Sequence, residues 1–249
     1  MSKVALVVGA GPGIGSSVAK KFAREGFKVC VARRNPEQLK SLSKEIKAEG
    51  GQCIAYGCDM RKEEDVRNLV ESVENTVGPI SCGVHNIGAN IGYKSVKDTS
   101  TRIYTKVWEM ATLSAFLFGR ELGGKMTERG SGTLIFTGAT ASWRGSAGMG
   151  AFSSAKMAKR ALTQSMAREF GPQGVHVAHV IVDGAVDNPN TIKFFEEKDP
   201  KIAEMFKQKR EIDGLLDPND VAESYWHLFN QKKSAWTHEL DLRPWIEKW

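Results

Sequence analysis

The sequence predicts an α/β fold: one doubly wound domain over residues 1–249, with a seven-stranded, mainly parallel sheet and helices on both faces. Short β-branched runs alternate with longer segments of helical period along the whole chain, the pattern of repeated βα units. A glycine-rich turn follows the first of those runs and leads into a helix. No internal repeat, low-complexity tract or linker divides the 249 residues, a length that one α/β domain often fills.

The elements follow in order. Residues 3–8 form the first strand, and Val18, Ala19, Phe22 and Ala23 share one face of the helix after it. Gly26 suits a left-handed cap at that helix's end. Residues 28–32 make the second strand, Pro36 opens a helix whose Leu39, Leu42 and Ile46 share a face, and residues 52–57 make the third strand. Val66, Val70, Val73 and Val77 repeat the helical spacing before a fourth strand at 80–85. A long helix over 101–129, a strand at 133–137, a helix over 151–170 and a strand at 176–182 follow. Asp217-Pro218 opens the last helix, and 239–242 is the seventh strand. Between 187 and 216 the period breaks at Asp187-Asn188-Pro189-Asn190 and an amphipathic stretch carries Phe194, Phe195, Met205 and Phe206. We expect an insertion there that covers a substrate. Those apolar residues, with Trp245 and Trp249, serve either as that cover or as core and subunit packing.

Composition narrows the function classes. Hydrophobic residues at 41% and charged residues at 26% are globular proportions, so a packed core is expected. The net charge of +6 is scattered without single-sign blocks, which argues against nucleic acid as a partner. Cys30, Cys53, Cys58 and Cys82 form no metal or redox motif, and His85, His176, His179, His227 and His238 show no ligand spacing. Buried thiols and no metal are expected. No apolar run approaches the ~18 residues of a membrane span. A cytoplasmic protein with a small-molecule substrate and no membrane partner is the expectation.

Gly9-Ala10-Gly11-Pro12-Gly13-Ile14-Gly15 lies where a dinucleotide pyrophosphate sits on free amides at a helix start. That makes the domain Rossmann-type. At the end of the second strand, Arg33-Arg34 stands where an NAD site carries an acid for the ribose 2′-hydroxyl. Two guanidinium groups favour a 2′-phosphate through charge-assisted bonds, so NADP(H) is expected in preference to NAD(H).

Gly9-xxx-Gly13-Ile14-Gly15, Cys58-Asp59-Met60, His85-Asn86-Ile87-Gly88 and the lysine of a YxxxK-like segment occur in one order along the chain. In this the sequence resembles the short-chain dehydrogenase/reductase superfamily over essentially its whole length. The resemblance implies that Asp59, beside Met60, contacts the adenine amino group. It further implies that Asn86 and Gly88 border the ribose and brace the central strand, that Lys156 binds the nicotinamide ribose, and that the protein is a homodimer or homotetramer. Read from the residues alone, Asp59 also suits a helix cap and Asn86 a strand-end turn.

The catalytic positions depart from the family pattern. Four residues before Lys156 the family has tyrosine and this chain has Phe152; the serine position is Ala139 and the helix asparagine position is matched to Ala111. A proline expected after the sixth strand is replaced in Asp183-Gly184. The chain resembles a divergent subgroup in which phenylalanine replaces the tyrosine and the lysine is kept. Carbonyl reduction needs a proton as well as a hydride, and Phe152 has none to give. Thr140, Ser142, Tyr93 or water remain as sources. Two readings follow: an NADP(H)-dependent oxidoreductase with an altered proton path, acting on a small carbonyl or enone, or a catalytically inactive NADP-binding protein that acts as a sensor or interaction partner.

Overall fold

Five successive apolar residues, all buried, make β1 (Val4–Val8) an interior strand of the sheet. The computed structural model describes residues 3–88, 92–188, 192–193, 196–197 and 199–248. The other strands are β2 (Lys28–Arg33), β3 (Gln52–Gly57), β4 (Ile80–His85), β5 (Gly132–Thr137), β6 (Val175–Val182) and β7 (Glu239–Leu242). The sheet runs β3-β2-β1-β4-β5-β6-β7 and every neighbouring pair is parallel. The order reverses between β1 and β4, so a crevice forms at the carboxyl ends of those two strands.

Eight α-helices are described: α1 (Ile14–Arg24), α2 (Lys40–Ala48), α3 (Glu63–Thr76), α4 (Thr101–Trp108), α5 (Ser114–Arg129), α6 (Gly150–Phe170), α7 (Pro200–Glu211) and α8 (Pro218–Asn230). Alternation along the strands splits the core in two. Ala5 and Val7 face Val18 and Phe22 of α1, Ile46 of α2 and Tyr225 of α8. Leu6 and Val8 face Val70 of α3, Phe118 and Leu122 of α5, and Met166 of α6. Gly26, at φ +82°, ends α1 in the left-handed conformation expected of it. All four cysteines are buried thiols.

Two elements differ from expectation. Pro36 opens a 3₁₀ turn (Pro36–Leu39), capped by the Asn35 side chain on the Glu37 amide, and α2 begins only at Lys40. The helix expected over 101–129 is divided by a π-helical turn, Glu109–Leu113. There the Thr112 hydroxyl donates to the Ala155 carbonyl of α6 at 2.7 Å, and Ser114 donates to Met110. Such a turn inserts one residue without altering the apolar period on either side.

The segment 187–216 leaves the sheet after β6. An isolated parallel bridge between Val186 and Leu216 closes its base, and Arg210 Nε bonds Asp187 at 2.8 Å. Phe194, Phe195 and Trp249 lie outside the described residues. Trp245 is 75% exposed and donates its ring N–H to the Ile212 carbonyl. Among the described residues, no helix is long and apolar enough to cross a membrane and no group of side chains is arranged to hold a metal.

Candidate active site

The β1–α1 turn is built by close approach. A Cβ on Gly15 would lie 2.4 Å from the Gly9 carbonyl oxygen, and Gly13 holds φ +96°, so neither position accepts a side chain without displacement. Asn86, at the end of β4, donates its side-chain amide to the same Gly9 carbonyl at 3.1 Å. This bond ties the ends of β1 and β4, the two strands that flank the crevice. Helix α1 begins at Ile14 without a side-chain cap on Gly13 and without an acid in its first turn. Its leading amides, which have no intrahelical partners, are not answered by any carboxylate of that turn.

A cleft of about 220 Å³ extends from this turn along the ends of β1, β2 and β4. Gly9, Gly11, Arg33, Arg34, Asp59, Met60, Asn86 and Gly88 all lie on its wall. Arg33 is half-buried and Arg34 exposed; a Cβ on Gly11 would be 3.8 Å from the Arg33 guanidinium carbon. Asp59 does not cap α3, whose first cap is Lys62. Instead its carboxylate accepts two bonds from the Arg61 guanidinium, at 2.9 and 2.6 Å. Those bonds hold the Asp59 carboxyl below the usual carboxylate range. Arg61, which the motifs did not single out, thus belongs to the cleft wall.

A second, larger cavity of about 710 Å³ adjoins the first at Asn86, Ile87 and Gly88. The segment after β5, the start of α6 and helix α7 wall it. Ile14, Tyr93, Ala139, Thr140, Phe152 and Lys156 all line it, together with Met205 and Phe206 of α7. Tyr93 is 86% exposed. Ser142 behaves otherwise: it is 1% exposed and its hydroxyl accepts the Ala139 amide at 3.2 Å, so it braces the turn rather than reaching the cavity. Ala111 is packed at 0% exposure with Val107, Ala151 and Ala155. The adjacent Thr112 makes the polar contact to α6.

Lys156 Nζ donates to the Thr137 carbonyl at the end of β5, 3.1 Å away, and stands 5.6 Å from the Phe152 ring centre. Burial lowers its pKa from 10.5 to about 8. A second amine, Lys159, reaches the same carbonyl at 3.1 Å and is 0% exposed. Burial, and the Lys156 charge after it, push its pKa well down. Desolvation likewise keeps His85 and His179 neutral, His179 at a pKa of about 3. Sequence reasoning missed Lys159, although its spacing of three from Lys156 puts both on one helix face.

The family model for short chain dehydrogenases matches residues 3–199. A solved short-chain dehydrogenase from Rhodopseudomonas palustris is 40% identical, with a TM-score of 0.81 over 98% of this chain and 99% of that one. A short chain dehydrogenase of Pseudocercospora fijiensis (strain CIRAD86) is 34% identical over 188 residues, which is 75% of this chain and 60% of that protein. An actinorhodin polyketide ketoreductase solved with NADPH shares the fold at a TM-score of 0.88 and 24% identity, over 98% of this chain and 96% of that one. With the crevice, the glycine turn and the Asn86 brace in place, this chain belongs to the short-chain dehydrogenase/reductase family.

Proposed function

We propose that the protein is an NADP(H)-dependent oxidoreductase that transfers hydride to or from a small carbonyl or enone compound without a tyrosine acid. The observation that carries the cofactor choice is the pair Arg33 and Arg34 on the same cleft wall as Gly9 and Gly11. The uncapped, acid-free start of α1 supports a pyrophosphate there. Bound, the cofactor supplies or accepts the hydride. The residues of the chain do the rest. The leading amides of α1 hold the pyrophosphate, Arg33 and Arg34 the 2′-phosphate, Asp59 and Met60 the adenine side, and Asn86 and Gly88 the ribose beside the central strand.

Lys156 presents an ammonium at the cavity floor, fixed by the Thr137 carbonyl, where it meets the nicotinamide ribose hydroxyls. Phe152 replaces the tyrosine hydroxyl with an apolar face, which keeps water off that side. Proton delivery falls to Thr140 or Tyr93 at the wall, or to water. A positioned acid contributes about 10²–10⁴-fold, so a substrate whose developing charge is delocalised, such as a conjugated enone, suits this site better than a simple ketone.

Calorimetric titration with NADPH and NADH tests the cofactor reading. The wild type is expected to bind NADPH at least about tenfold more tightly, through charge-assisted bonds to the extra phosphate. The double variant Arg33→Asp/Arg34→Ala should lose that difference. Equal affinities, or no binding of either nucleotide, would overturn the proposal.

The apolar trio Phe152, Ala139 and Ala111 favours a second reading, a cofactor-binding protein without turnover that serves as a sensor or interaction partner. NADPH oxidation against a panel of ketones, aldehydes and enones separates the two. Turnover with any of them supports the enzyme, and Phe152→Tyr should then leave or lower that rate. Activity that appears only in Phe152→Tyr/Ala139→Ser supports the non-catalytic reading.

A further inference from the structure

We infer that the larger cavity takes an anionic substrate: a carbonyl or enone compound whose apolar body ends in a carboxylate. This rests on the oxidoreductase reading and adds the substrate's charge to it. Among the described residues, the cavity wall holds Arg144, Lys156 and Lys209 and neither aspartate nor glutamate. Lys156 is at the floor and bonded to Thr137. The other two cations come from separate elements, Arg144 from the segment between β5 and α6 and Lys209 from α7.

Arg144 is held from behind. Its Nη2 is 3.5 Å from Asp183, a carboxylate at 0% exposure that follows β6 and that Arg243 also approaches to 3.3 Å. Asp183 is not on the cavity wall, so it anchors the guanidinium without competing for the space in front. That contact engages one nitrogen of a planar fork carrying five N–H donors, and the Arg144 side chain is 42% exposed. A guanidinium so placed matches a carboxylate in charge and in shape.

Much of the remaining wall is apolar, with Thr140, Ser146, Ser153 and Asn188 among its polar positions. Met149, Phe152, Ile202 and Met205 line it, which lowers the local dielectric and strengthens attraction between the two cations and an incoming anion. A neutral ligand filling the same space would desolvate Arg144 and Lys209 without returning a partner, which is unfavourable. The cofactor's phosphates have other partners under the reading above, namely the α1 amides and Arg33 with Arg34 in the adjoining cleft. Arg144 and Lys209 are therefore assigned to the substrate, and Lys156 stays with the nicotinamide ribose.

The test is calorimetric titration of the NADP⁺-loaded protein with 2-oxooctanoate and with its methyl ester, a pair alike except for the charge. The acid is expected to bind at least about tenfold more tightly than the ester, as a charge-assisted bond predicts. Lys209→Met and Arg144→Met should each weaken the acid and leave the ester within about twofold. Arg144→Met strips one partner from buried Asp183, so Lys209→Met, on α7 and not among the ion pairs described for that carboxylate, serves as the variant whose folding is not in question. Equal affinities for acid and ester, or no binding of the acid at millimolar concentration, would overturn the inference. So would a Lys209→Met variant that loses NADPH and the acid in equal measure, because the cation would then belong to the cofactor. Failure of the wild type to bind NADPH overturns the oxidoreductase reading instead, and the preference for acid over ester is then read on the protein without cofactor.

Discussion

Two lysine amines share one acceptor in the interior of this protein, and the arrangement is costly in a way that pH exposes. Lys159, fully buried and bonded only to the Thr137 carbonyl among the contacts described for its amine, has its pKa pushed well below 10.5 by desolvation. The unfolded chain therefore holds a proton at this position that the folded chain does not, wherever the pH is below 10.5 and above the folded value. In that window stability falls as pH falls, by about 1.4 kcal/mol per pH unit for a single group. Lys159→Met removes this pH dependence. We predict that the variant is more stable than the wild type to urea at pH 7 and that the difference shrinks as the pH is raised towards 10.5. A constant difference across pH 7–10.5 would show that the amine is neutralised by a partner instead. Lys156 titrates by the same logic nearer pH 8, so affinity for a ligand that needs its ammonium should decline above that pH. NADPH titrations at pH 7 and pH 9.5 check this, with Lys156→Met showing no such decline.

At the scale of the element, the β1–α1 turn is the most exacting part of the fold. Gly15 meets backbone, the Gly9 carbonyl, and the Asn86 side chain, neither of which moves without opening the crevice. Gly15→Ala is predicted to lose NADPH affinity by about tenfold or more and to lower urea stability by about 1–3 kcal/mol. Unchanged binding would mean that the turn relaxes away from Asn86. This turn was legible in the sequence because glycine spacing after an apolar run has few other physical explanations. The strands were legible too: 52–57, 80–85 and 239–242 are β3, β4 and β7, β4 as a buried apolar run and the edge strands β3 and β7 as short runs between helical segments. The π-helical turn at Glu109–Leu113 was not, because its cause is a tertiary bond from Thr112 to α6. The same holds for Ser142, whose hydroxyl looked available in the sequence and is turned inward to the Ala139 amide, and for Arg144 and Lys209, which no motif joins and which only the path of the chain brings to one cavity.

For the molecule as a whole, the sheet is the floor of the site, and we propose that the segment 187–216 is its cover. Its base is closed by the Val186–Leu216 bridge and by Arg210 on Asp187. The Asn188 side chain reaches Pro12 in the glycine turn at 3.2 Å, so the cover touches the edge where a pyrophosphate would sit. Met205 and Phe206 line the larger cavity. A ligand that fills both the cleft and the cavity adds contacts to the sheet and to the cover at once, and it binds the closed arrangement in preference to an opened one. We predict that trypsin cleaves the protein first after a lysine or arginine between 193 and 210 and that saturating NADPH slows this cleavage. Arg210→Ala should accelerate it without shifting global urea stability by more than about 1 kcal/mol, because the pair it breaks is exposed. At a hundredfold excess over its dissociation constant the nucleotide also adds about 2.7 kcal/mol to global stability, so the two effects separate by their dependence on position. Protection confined to the cover marks local closure, whereas equal slowing of every cleavage would mean that proteolysis passes through global unfolding and that the cover does not open on its own.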